Sequence, residues 1–315
     1  MSIILGTLQQ GILFGLLAIG IYIAFRILDI PDLTAEGSFT FGIAVSAVVT
    51  IAGHPLLAIL AGTAAGFAAG ILTGIFQTKC GIHPVLAGIL TMSGLYSINT
   101  WVLGEQPSIN LISSPQNPVN TVFSIFEEML SGIDKDIVRL GVIFVITAIV
   151  SLILILFFKT RTGLSIRAAG DNDTMVRASS INVDRVKILA LAVGNSCIGM
   201  CGAIYAQYQR FADINSGAGM LVVGLASVII GEVFVGKKGV TLGIIFAVVG
   251  SVVYRGIIAA ATYYDIFPAY MLKLVAAVIV AAAHTIPAVK NRIKLAKSKK
   301  AIKNAGSVKA GEQNA

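Results

Sequence analysis

Arg161-Thr-Gly-Leu-Ser-Ile-Arg167-Ala-Ala-Gly170-Asp-Asn-Asp-Thr-Met175-Val-Arg-Ala-Ser-Ser180-Ile-Asn-Val-Asp-Arg185-Val-Lys187 is a polar segment set between two apolar runs, 139–158 and 187–207. Counted from Lys159 it carries six basic residues, and Lys and Arg accumulate in the cytoplasmic loops of membrane proteins. Asn172 or Asp173 can cap a short helix running to about Ile181, because either side chain accepts from the free N–H groups of a first turn. A helix of barely two turns is marginal in water, so it needs something to dock against, and the small residues Ala178, Ser179 and Ser180 allow close approach. The segment reads as a cytoplasmic docking element between membrane spans.

Composition supports the spans. Of 315 residues 56% are hydrophobic and only 12% charged, with a mean hydropathy of +0.89, whereas ordinary soluble domains carry about 25% charged residues. Further apolar runs lie near 3–25, 38–52, 55–76, 85–103, 218–235, 239–261 and 268–286, which makes nine crossings. The expected fold is an all-α polytopic bundle over residues 1–289, with a broken or re-entrant element near 29–39, because 38–52 is short of the ~20 residues a straight span needs. Residues 290–315 read as a basic, disordered cytoplasmic tail. On this count eighteen basic loop residues share one face, while Lys135, Arg139 and Arg210 fall on the other. The N-terminus and the 104–138 loop are therefore expected outside and the tail inside a plasma or inner membrane. The net charge of +8 follows the same asymmetry, so nucleic acid is not an expected partner.

Gly62, Gly66, Gly70 and Gly74 recur at every fourth position and give one smooth helical face. It serves packing within one subunit or a seam between two, and packing within the subunit is favoured; Gly199 and Ala203 form a similar, weaker pair. Cys197 and Cys201 share a helix face but read as packed apolar groups. No metal site is expected, since His54, His83 and His284 are scattered. No Ser-His-Asp grouping and no G-x-x-x-x-G-K-[ST] loop is present; Gly236-Lys237-Lys238 lacks the Ser/Thr that would hold magnesium. The chain is expected to bind no cofactor and catalyse no reaction of its own.

Polar groups at membrane depth are costly and need a partner or a task. The stretch Asp29-Ile-Pro31-Asp32-Leu-Thr34-Ala-Glu36-Gly-Ser38 puts three carboxylates and a proline between apolar runs. It is either a cytoplasmic turn or a discontinuous helix lining a cavity. Tyr96, Asn99 and Asn195 are isolated polar side chains on spans, for which hydrogen bonding between helices is the simpler reading. Glu232 can pair with Lys near the inner surface, and Arg255 and Lys273 can snorkel toward the outer one.

Gly163-Leu-Ser-Ile-Arg167-Ala-Ala-Gly170-Asp-Asn172, Ser180-Ile-Asn-Val-Asp-Arg185-Val-Lys187 and Gly199-Met-Cys-Gly202-Ala resemble the coupling-loop region of branched-chain amino-acid and ribose-type permeases of ABC importers. Pro31-Asp32-Leu-Thr-Ala-Glu36-Gly-Ser38-Phe, Leu86-Ala-Gly-Ile-Leu-Thr-Met92-Ser-Gly-Leu-Tyr96-Ser-Ile-Asn99 and Val228-Ile-Ile-Gly-Glu232-Val-Phe-Val-Gly236-Lys-Lys are similar to the subgroup that accompanies tryptophan/tyrosine-type binding proteins. The resemblance implies a transport subunit that imports an aromatic or related amino acid. Its implied partners are cytoplasmic ATPase subunits holding ATP and magnesium, an extracytoplasmic substrate-binding protein and a second, identical permease subunit. Gly170, Asp171, Asn172, Asp173, Met175, Arg177, Ala178 and Ile181 become the ATPase-coupling residues, and Asp32, Thr34, Glu36, Ser38, Tyr96, Asn99 and Asn195 candidates for the translocation path. The competing class is an ion-coupled secondary transporter using Asp32 and Glu36.

Overall fold

A computed structural model describes residues 2–112, 119–235, 239–263 and 278. The ninth apolar run except Val278, together with Lys273, His284, the Gly236-Lys237-Lys238 turn and the 290–315 tail, lies outside the described residues. The described chain is an all-α membrane bundle. Its helices are α1 (Ser2–Tyr22), α2 (Thr34–Ile51), α3 (Pro55–Thr78), α4 (Pro84–Val102), α5 (Val122–Met129), α6 (Lys135–Phe157), α7 (Arg161–Asp171), α8 (Asp173–Ala178), α9 (Val183–Gln209), α10 (Met220–Val235) and α11 (Val240–Tyr263). Seven of them are long and apolar enough to span a membrane, and α10 is a shorter apolar helix. Pro55 and Pro84 each open a span at its first position, where a missing N–H costs nothing.

The break near residue 29 is more local than the sequence predicts. The first span runs on through a π-helical turn, Ile23–Ile27, in which Leu28 N donates to Ile23 O and Ile30 N to Ala24 O, each at 3.0 Å. Asp29 then takes a left-handed conformation, φ 54°, and α2 starts at Thr34 as one uninterrupted 18-residue helix. The carboxylate of Asp32 supports that start by accepting from Thr34 N at 2.9 Å, an Asx turn closed by the side chain. Residues 28–33 form a turn folded into the bundle, with Leu28, Ile30 and Asp32 buried.

Helices α1, α2 and α9 form the centre, where Leu13, Phe14, Leu16, Leu17, Phe39 and Ile198 are buried. The glycine row on α3 faces α9 of the same chain. A Cβ on Gly62 would lie 2.6 Å from the Ala203 methyl and one on Gly74 2.7 Å from the Ile188 Cα, while Gly66 and Gly70 sit against the Asn195 and Leu191 carbonyls. Gly199 is the reciprocal notch, close to Gly62 O and Gly66 Cα. Small residues on both helices bring the backbones together, so the repeat is a seam inside one subunit. By contrast α6 turns Phe144, Val145, Ile149, Leu152, Ile153 and Leu156 outward, as a lipid-facing helix does.

At the end of the bundle away from Arg26, strand β1 (Ser108–Asn110) pairs antiparallel with β2 (Phe211–Asp213), Ile109 opposite Ala212. Buried Gln207 ties this end together, donating to Pro55 O and accepting from Val122 N, both at 2.9 Å. Arg255 does not snorkel outward: its guanidinium lies over the Phe14 ring, 4.2 Å from the centroid, inside the bundle. Cys197 and Cys201 are buried in the core.

Candidate functional site

The polar residues of the second span divide between two faces. On the inner face Asn195, the thirteenth residue of α9, donates from Nδ2 to Asp32 Oδ2 at 2.6 Å and accepts from the Ser38 hydroxyl at 2.7 Å. The Thr34 hydroxyl lies 2.7 Å from that of Thr73, which donates to Thr91 at 3.0 Å. Asp32, Thr34, Ser38, Thr73, Thr91 and Asn195 are all at most 1% exposed. Both carboxylate oxygens of Asp32 accept hydrogen bonds, which is how a buried carboxyl group is tolerated. The network knits α2, α3, α4 and α9 together, and its side chains are closed off from solvent among the described residues.

Glu36, Gly37 and Thr40 occupy the other face of α2. With Met92, Ser93, Tyr96 and Asn99 of α4 and the 214–218 turn they enclose a cleft of 380 Å³. Gly37 allows the two helices to close on the Met92 backbone, 3.2 Å from where a Cβ would stand. Glu36 Oε1 accepts from Gly219 N at 3.0 Å, so its carboxylate sits at the first turn of α10, where a helix dipole favours negative charge. The 214–218 turn returns into the bundle after β2: Gly217 packs on the Glu36 carbonyl, and Asn215 N donates to Asp213 Oδ1 at 2.6 Å. Tyr96 is 56% exposed and Asn99 1%, yet Asn99 Oδ1 has no hydrogen-bond partner among the described residues.

Of the seven path candidates, Glu36, Tyr96 and Asn99 thus line a cleft, while Asp32, Thr34, Ser38 and Asn195 sit in the sealed network. Ser38 is fully buried and is not reached from the cleft side. Sequence reading missed Thr40, Met92, Ser93 and Asn215, as well as the threonine pair Thr73 and Thr91. The cluster Asn215-Ser-Gly-Ala-Gly219 was the available signal, a loop composition abutting an apolar run.

At the opposite end the polar segment is more ordered than a loop. Its first part is the helix α7, capped by Thr160, whose hydroxyl accepts from Gly163 N at 3.3 Å. Gly170 packs directly on the Ile27 carbonyl, which seats α7 against the π-helical turn. Asn172 caps α8, accepting from Thr174 N at 3.0 Å and Met175 N at 3.1 Å. That helix ends at Ala178, three residues before the expected stop at Ile181, because Ser180 adopts φ 60°. Part of its support comes from its own chain: Val176 is buried, Asp173 pairs with Lys187, and Arg177 with Asp184 at 3.2 Å. Met175 is 67% exposed, and Asp171, Ala178 and Ile181 are also exposed. Glu232 at the end of α10 is held by both oxygens to Arg26, while the lysines expected to pair with it lie outside the described residues.

The model of the family described as the permease component of the branched-chain amino acid transport system matches residues 3–293. The chain belongs to that family. It is an ABC-transporter permease component, a multi-pass membrane transport subunit. It is 35% identical over 257 residues to a tyrosine transport system permease protein of Clostridioides difficile, covering 81% of each chain. An uncharacterised protein of Rickettsia prowazekii is 32% identical, covering 74% of this chain and 78% of that one. The ribose import permease protein of Escherichia coli is 24% identical over 75% of this permease and 71% of its own length. No solved structure matches.

Proposed function

We propose that this permease is the membrane subunit of an ATP-driven importer for an aromatic or related amino acid, working beside a second copy of itself. The observation that carries the reading is the cleft between α2, α4 and the 214–218 turn, a place where polar residues of two spans line open space. Its 380 Å³ suits one small organic solute. The likeness to the tyrosine permease supports the substrate class. The outer face of α4, with Leu86, Ile89, Leu90, Ile98 and Trp101 exposed, is the proposed contact with the second permease.

On this reading α7 and α8 are cytoplasmic and the N-terminus outside. ATP and magnesium stay on ATPase subunits that dock at Met175, Ala178 and Ile181. The binding protein delivers solute at the β1–β2 end. The seat of Gly170 on Ile27 supports a mechanical link from the docking helices to the first span. The sealed state of Asp32 weighs against an ion-coupled mechanism, since a coupling carboxylate must exchange its ligands. Reconstitution in proteoliposomes with ATPase and binding protein tests the proposal: L-tyrosine uptake should require ATP inside the cytoplasmic compartment and ignore ionophores. Uptake that persists without ATP and collapses with the ion gradient establishes the secondary transporter instead.

A further inference from the structure

The cleft is asymmetric in charge and in hydrogen-bonding capacity. Among the described residues Glu36 is its sole carboxylate, and no Lys, Arg or His lines it. Glu36 spends one lone pair on Gly219 N and keeps the rest of its accepting capacity. Asn99, which lines the same cleft, contributes a second acceptor: its Oδ1 is buried and has no partner among the described residues. Buried polar atoms are normally satisfied, so an orphan beside a carboxylate in a solute-sized space marks the position of a missing donor. A single hydroxyl brings one donor, whereas a primary ammonium brings three and a positive charge. The Tyr96 ring, more than half exposed at the cleft wall, adds a face that attracts a cation.

We propose that Glu36 and Asn99 receive the protonated amino group of the solute in transit. The inference rests on the importer reading, and it turns a general path into a site selective for organic ammonium groups. Glu36 supplies the charge, Asn99 the second acceptor, and the apolar part of the solute lies toward Met92 and Tyr96.

Two measurements test it, one of them independent of transport. In a background with Cys80, Cys197 and Cys201 replaced by Ala, Ser93→Cys places a thiol on the cleft wall. After normalisation to a free thiol, a trimethylammonium methanethiosulfonate should modify it about tenfold faster than a sulfonate one, the enrichment a one-signed cleft gives. Glu36→Gln keeps an acceptor for Gly219 N and removes only the charge, so it should bring that ratio close to unity. In proteoliposomes the same change should lower L-tyrosine uptake about tenfold or more, and Asn99→Asp added to it should restore uptake by returning a carboxylate to the cleft. A structural role for Glu36 predicts no such rescue. Equal reagent rates, failure of either reagent to react, or a ratio that Glu36→Gln leaves unchanged overturns the proposal. If wild-type protein carries no L-tyrosine while the charge ratio behaves as stated, the amino-acid assignment falls and the cationic site stands.

Discussion

The two faces of one helix set the Asp32 network against the Glu36 cleft. Asp32, just before α2, and Thr34 and Ser38 on it point into α3 and α9, where every one of them has a partner within 3.0 Å. Glu36 and Thr40, on the same α2, look toward α4 and open space. Both regions put polar groups at span depth, yet one is closed by hydrogen bonds and the other is left short of donors. Polarity inside a membrane bundle therefore has two uses, and the count of satisfied atoms separates them. A sealed network fixes helices, whereas unsatisfied acceptors at a cleft are what the proposed solute would meet.

Removing one partner from the sealed face should be the costliest change. Asn195→Leu deprives Asp32 of its second hydrogen bond and leaves a buried carboxyl oxygen unpaired, a loss of about 3 kcal/mol, the upper end of what such a group costs. We expect the variant to lose its sharp thermal transition in detergent and to aggregate on size-exclusion chromatography. A melting temperature near that of wild type would show that the network is not what holds these helices, and the contrast would fail.

Next in size is the seam that the network crosses. Gly66→Leu forces side-chain volume against the Asn195 carbonyl, where no flexible tip can move aside, and overpacking of this kind costs roughly 1–3 kcal/mol. The expected outcome is a lowered melting temperature with lower yield. Gly94→Leu makes a useful control, because nothing lies within 4 Å of that position. Since leucine is the better helix former, equal loss in both would point to the added apolar bulk in general and not to the α3–α9 approach.

The cleft face should respond in the opposite sense. Asn99→Leu removes a buried acceptor that has no partner, so its effect on stability should stay within about 0.5 kcal/mol or be slightly favourable. Uptake should fall sharply all the same. A destabilisation as large as that of Asn195→Leu would place Asn99 among the structural residues and erase the difference between the two faces.

How much of this was legible in the sequence follows from the range of each signal. The glycine row on α3 was readable because a four-residue period is a local property of one helix, and the packing partner of each glycine lies in the same chain. The span pattern was readable for the same reason, as was the Asn172 cap. The division of Asp32, Thr34, Glu36 and Ser38 between two faces was not, since it depends on where α3, α4 and α9 pack around α2. Thr73 and Thr91 carry no charge and match ordinary span composition, so nothing marked them before their contact with Thr34 was seen. The 211–219 region was missed as a cavity wall because its re-entry is set by β2 and by the Gly217 contact with α2, both long-range. Arg255 was misjudged by the same blindness: its ring partner Phe14 lies on the first span.

The smallest stability effect is expected at α8, and it carries the contrast to the other end of the bundle. This helix also has an inner and an outer side: Val176, Asp173 and Arg177 bind it to α9, while Met175 and Ala178 face outward. If outward residues here await a partner, as those in the cleft await a solute, then Ala178→Arg should leave the isolated permease within about 0.5 kcal/mol of wild type, the usual range for an exposed substitution. It should nevertheless abolish solute-stimulated ATP hydrolysis by the reconstituted importer, and Met175→Asp should do the same by putting a charge where an apolar side chain docks. Val176→Asp is the internal comparison, since it buries a charge against α9 and should loosen α8 itself, seen as faster amide exchange over 173–178. Normal ATP hydrolysis and normal uptake in both outward variants would show that the exposed side of α8 is ordinary surface. Loss of coupling with an unchanged melting temperature and unchanged exchange would show that the side left open by the chain's own hydrogen bonds is the side that meets the ATPase.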